Sequence, residues 1–230
     1  MINILTDYIH RSLPEWGDFS TNFNLSRKVS STGAFLPFYG NTIVFALCDE
    51  TKKTLQHLQE ELYRNAGWML SQKLDPSTFH MTLHDLVNAT EMTEDFRMKM
   101  SESETKEKSI LAQWQDVPAL HMKTTWLFNM VNTSIVLGLT PADEETWRRL
   151  DEMYTSLESV VRLGYALTPH ITMAYFIPGT WSQHDLNCLR KALCPVELDV
   201  ALEIENLAYQ EFTNMNHYET RMMSFDLPKR

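Results

Sequence analysis

The chain has 230 residues, 43% of them apolar, which suffices for a real core in one compact domain or in two small intimate lobes. A formal net charge of −10 argues against a surface that tracks duplex DNA or a long single strand, and favours a small substrate or a short nucleic-acid end. No apolar run reaches the length of a membrane span, Met1 to Arg11 lacks the basic start and apolar stretch of a signal peptide, and three scattered cysteines (Cys48, Cys188, Cys194) fit a reduced, cytoplasmic setting.

Residues 1–40 are polar and irregular and read as an extension that packs over a lobe or closes a cleft; residues 41–230 read as the main domain. Ile43 to Leu47 is a short buried strand. The next stretch places Leu55, Leu58, Leu62 and Ala66 on one face of a helix. Then comes Phe79-His80-Met81-Thr82-Leu83. Side chains alternate along a strand, so His80 and Thr82 share one face while Phe79, Met81 and Leu83 point into a core. Thr93 to Trp114 is a long charged helix with a solvated face, and His121 to Asn129 is a strand.

The order then recurs. Ile135 to Leu139 is strand-like, and Trp147, Leu150, Tyr154, Leu157 and Val161 mark a helix face. Pro169-His170-Ile171-Thr172-Met173 repeats the His-x-Thr pattern, with His170 and Thr172 on one face and Ile171, Met173 and Tyr175 on the core face. Both helices begin with acidic residues or proline, which are favoured there. Ser182 and Asp185 form a capping box before Leu186 and Leu189, and Glu197 to Tyr209 and Thr220 to Leu227 read as further strands. There is no Walker or G-x-G-x-x-G sequence. The pattern predicts an α+β fold: two similar lobes of mostly antiparallel sheet with outer helices, related by a pseudo-two-fold duplication around a central cleft.

An imidazole titrates near neutral pH, so two facing one cleft can divide proton transfer. One neutral ring takes a proton from water, and one charged ring gives a proton to a departing oxygen. Thr82 and Thr172 add hydroxyl donors for phosphate oxygens. His10 also has a hydroxyl two places on, at Ser12, but lacks the apolar strand context. His84 shares strand parity with His80 and Thr82, so it lines the same cleft or caps the strand end. A metal site built on His80, His84 and Asp85 is the weaker reading, because these residues sit on a strand and not on a helix. No cofactor is called for. Phe38, Tyr39 and Trp126 are candidates to stack a base. Phosphate binding requires a cleft less acidic than the surface at large, with Arg27 and Lys28 as available cations.

The two His-x-Thr segments resemble the motifs of the two-histidine phosphoesterase superfamily, which includes the LigT-like RNA 2′,3′-cyclic phosphodiesterases. The resemblance implies that His80 and His170 are the catalytic pair and that Thr82 and Thr172 hold the phosphate. It spans roughly residues 41–227. The run Gly33-Ala34-Phe35-Leu36-Pro37-Phe38-Tyr39-Gly40-Asn41-Thr42, after Arg27-Lys28, is similar to the lead-in of an uncharacterised bacterial branch. The implied function is metal-independent hydrolysis of a cyclic phosphate on a nucleotide or short RNA end, with Tyr39, His84 and Arg27 as possible cleft-lining residues. A nucleotide-binding module without turnover is the alternative, and a metal-dependent hydrolase a weaker one.

Overall fold

The structure, a computed structural model, describes residues 12–227, so His10 lies outside the described residues. An eight-stranded antiparallel sheet organises the molecule. Its strands are β2 (Tyr39–Ala46), β3 (His80–Ala89), β4 (Leu120–Met130), β5 (Ser134–Pro141), β6 (His170–Tyr175), β8 (Asp199–Leu202), β9 (Leu207–Asn214) and β10 (His217–Met223). Their spatial order is β10-β9-β2-β3-β6-β5-β4-β8. The halves mirror each other about the middle: β2 answers β5, and β3 answers β6. The predicted lobes are thus the two halves of one sheet, joined where β3 meets β6 through Met81 and Ile171.

The helices follow the apolar periodicity. α1 (Asp49–Ala66) buries Leu55, Leu62 and Ala66, and α3 (Glu144–Leu157) buries Leu150, Met153, Tyr154 and Leu157. Asp143 caps α3 by accepting from the Thr146 amide. α2 (Glu94–Leu111) is capped by Thr93, and α4 (Gln183–Ala192) by the reciprocal Ser182–Asp185 box. One continuous core runs under both halves of the sheet and includes Phe79, Met81, Leu83, Ile171 and Met173. These are the alternate residues of the two His-x-Thr strands. No helix among the described residues is long and apolar enough to cross a membrane.

One strand expectation is corrected. Glu197 to Tyr209 is not a single strand. β8 pairs with β4 at one edge of the sheet, whereas β9 pairs with β2 and β10 in the other half. The chain crosses between them through a 3-10 turn at Ile204–Asn206. Short alternating runs do not reveal which edge they join, so this break is a matter of topology.

The segment before β2 straps both halves. β1 (Phe19–Ser20) pairs with β7 (Thr180–Trp181), the Gln72 amide donates to the Gly33 carbonyl, and the Phe38 amide donates to the Thr213 carbonyl. Gly33 has φ +83, a left-handed conformation that glycine adopts without strain.

Candidate active site

The seam between β3 and β6 sets the geometry. Met81 faces Ile171 across an antiparallel pair. One residue to either side, that register brings His80 opposite Thr172, and Thr82 opposite His170. The four side chains form a two-fold diamond on the face away from the core, and all four line a cavity of about 590 Å³.

Each imidazole is held in the same way. His80 Nδ1 lies 2.7 Å from the Thr78 carbonyl, and His170 Nδ1 lies 2.6 Å from the Thr168 carbonyl. A carbonyl only accepts, so Nδ1 carries the proton in both rings. The Nε2 lone pair of each neutral ring is thereby freed for chemistry. The edge of the Tyr218 ring packs on His80, with centroids 4.9 Å apart. Burial pushes the His80 pKa down to about 4, against the raising effects of the Thr78 carbonyl and Asp85; burial lowers His170 as well. Both rings are therefore neutral in the empty cleft near pH 7.

Two β-bulges occupy equivalent places. Val44 faces Thr82 and Ile43 faces His84, so Leu83 is an extra residue in β3. Val136 faces Thr172 and Ile135 faces Ala174, so Met173 is an extra residue in β6. Such a bulge reverses the parity of the residues beyond it. His84, read as lining the cleft or capping the strand end, lines the cavity and is almost wholly buried there, its Nε2 3.2 Å from Glu158 Oε1. One sequence expectation is corrected on this ground. Tyr175, assigned core parity, turns into the cleft. The same shift carries Asp85, the counterpart of Tyr175 five residues after its histidine, to the cleft wall. No group of three His, Cys, Asp or Glu side chains suited to a metal occurs among the described residues.

His84 also helps to hold the cavity wall in place. Its partner Glu158 also accepts from the Leu163 amide at 2.9 Å, which fixes the loop carrying Leu163 to Thr168 along the cavity wall and into His170.

Among the remaining candidates, Phe38 lines the cavity but Tyr39 does not. Trp126 packs against Phe128 and Val136 outside the cavity lining. Arg27 is exposed, its guanidinium 5.4 Å from the Phe38 ring, and it is Lys28 that enters the cleft. The charged side chains on the cavity wall are Lys28 and Asp85, so the cleft is nearly balanced on a chain of net charge −10. Sequence reasoning missed Asp85 and Tyr218 as wall residues. The Asn214-Met215-Asn216 turn was the available sign of the hairpin that delivers Tyr218.

The sequence matches no protein-family model and no curated protein. Its structure, however, resembles several solved ones. A conserved protein of unknown function from Agrobacterium tumefaciens is 19% identical with a TM-score of 0.65, over 95% of this chain and 97% of that one. A Thermus thermophilus protein is 14% identical with a TM-score of 0.54, over 80% and 95%. LigT of E. coli is 14% identical with a TM-score of 0.50, again over 80% and 95%. The chain has the fold of the LigT-like two-histidine phosphoesterases.

The lowered imidazole pKa values carry a pH effect. A bound phosphodiester anion favours the imidazolium and raises the pKa of the ring it faces. The pH optimum of kcat, which reports the complex, is expected above that of kcat/KM, which reports the free enzyme. Superimposable profiles would count against paired imidazoles acting on an anion.

Proposed function

We propose that the protein is a metal-independent cyclic phosphodiesterase that hydrolyses a 2′,3′-cyclic phosphate, or a related phosphodiester, on a nucleotide or short oligonucleotide. The observation that carries the reading is the matched pair of imidazoles, each oriented through Nδ1 by the carbonyl two residues upstream. The LigT-like fold supports it, and LigT of E. coli has also been solved with 3′-AMP bound, at 12% identity and a TM-score of 0.50.

The phosphate sits between His80 and His170. Nε2 of one neutral ring removes a proton from water as the water oxygen bonds to phosphorus. Nε2–H of the other, charged because the anion faces it, protonates the 2′ or 3′ oxygen as its bond to phosphorus breaks. The product is a phosphomonoester beside a free hydroxyl. Thr82 and Thr172 donate to the non-bridging oxygens, where charge accumulates.

The test is turnover of a panel of nucleoside 2′,3′-cyclic phosphates, 3′,5′-cyclic nucleotides and 2′-5′-linked dinucleotides, with and without EDTA. Chelator-resistant hydrolysis of one class supports the reading. Loss of activity in EDTA, restored by a divalent ion, would move it to a metal-dependent hydrolase. Binding without turnover across the panel would leave a nucleotide-binding module.

A further inference from the structure

Lys28 comes from the strap before β2 and not from the two-fold sheet. It is half-buried in the cavity wall, its ammonium 4.9 Å from the Phe38 ring centroid and 5.9 Å from that of Tyr175. The strap is hydrogen-bonded on either side of it, before it from the Asn22 amide to the Asn132 carbonyl and after it through Gly33 to Gln72 and Phe38 to Thr213, so the position is fixed by main chain. Two aromatic faces hold the charge without neutralising it. Burial lowers its pKa, and Asp85 favours the charged form.

The location separates Lys28 from the chemistry. Among the charged side chains, Asp85 acts most strongly on both imidazoles. Lys28 rests instead on Phe38, which belongs to the Phe38, Phe212 and Met215 cluster, and on Tyr175, whose phenol lies beside Thr172. The T. thermophilus protein and LigT of E. coli align with 80% of this chain, whereas the A. tumefaciens protein aligns with 95%.

Resting on the cyclic phosphodiesterase reading, we infer that Lys28 forms a second anion subsite, which selects substrates bearing a further phosphate next to the nucleoside whose cyclic phosphate is opened. The substrate class is then a 5′-phosphorylated nucleoside 2′,3′-cyclic phosphate or an oligonucleotide end, in preference to the bare nucleoside cyclic phosphate. The aromatic faces keep the ammonium poorly hydrated, so a phosphate gains a charge-assisted hydrogen bond at small desolvation cost.

The experiment compares adenosine 2′,3′-cyclic phosphate with its 5′-phosphorylated form. The wild type is expected to favour the 5′-phosphorylated ligand by about tenfold to a hundredfold in kcat/KM, mainly through KM, as a single charged hydrogen bond provides. Lys28→Met keeps the stem between the two rings and is expected to bring that ratio to within about threefold of unity; Lys28→Arg is expected to retain most of it. Dissociation constants for both ligands on the inactive His80→Ala, His170→Ala protein give the same ratio without turnover. An unchanged ratio in Lys28→Met, equal loss on both ligands, or no binding of either ligand would overturn the subsite. Wild-type binding preference without hydrolysis would instead overturn the cyclic phosphodiesterase reading and leave the subsite standing.

Discussion

His80→Ala and His170→Ala are each expected to lower kcat by roughly 10²–10⁴, the usual size of a lost general acid or base. The rings occupy equivalent corners of the diamond, and each carries its proton on Nδ1, so neither substitutes for the other. The double variant is expected to lose less than the product of the single losses, because both rings serve one proton-transfer cycle. Thr82→Ala and Thr172→Ala are expected to be milder, since each removes one donor and leaves the acid and base in place. Packing differs too: these side chains line the cavity, whereas Met81 and Ile171 between them are fully buried in the core, so the alanine variants should fold. Circular dichroism and melting temperature check that point, and single-turnover kinetics reads the chemical step. Full activity in the double variant would sink the mechanism.

The alternation of apolar and polar residues around His80 and His170 was enough to find the two strands, because one face of each packs on a core while the other does not. The strand–helix–strand repeat was legible for the same reason. What periodicity could not carry was the bulge after each threonine. Leu83 and Met173 are apolar residues in apolar runs, and nothing in their identity marks them as the extra residue of a ladder. Tyr175 was therefore read onto the core face, and Asp85 was not read as a wall residue, although both line the cavity. The strap was equally opaque. Lys28 and Phe38 enter the cavity through long-range main-chain bonds to residues 72 and 213, which leave no local pattern.

Glu107→Gln is expected to stabilise the protein at neutral and alkaline pH. Glu107 lies on α2 with no exposed surface, and neither carboxyl oxygen has a hydrogen-bond partner among the described residues. Sequence reading placed this helix's carboxylates on a solvated face, but Glu107 faces inward. Its surroundings are already satisfied among themselves: Asn41 Nδ2 donates to Ser103 Oγ at 2.8 Å and to the Tyr209 hydroxyl at 2.9 Å, while Asn41 Oδ1 accepts from the Val87 amide. Burial, aided by Glu104, raises the Glu107 pKa to about 9. The folded state therefore keeps a proton that the unfolded chain gives up above about pH 4.5. Folding then binds a proton between those two values, so stability is greatest below about pH 4.5 and falls as pH rises toward 9. The deficit at pH 7 is on the order of 3 kcal/mol. Glutamine has nearly the same shape and no charge to desolvate, so the variant escapes that slope. A rise in melting temperature of several degrees at pH 8, shrinking toward zero at pH 5, is the expected result. Parallel stability curves for the two proteins across that range would show that Glu107 keeps its charge in a solvated site, and would place the end of α2 differently against β2 and β9.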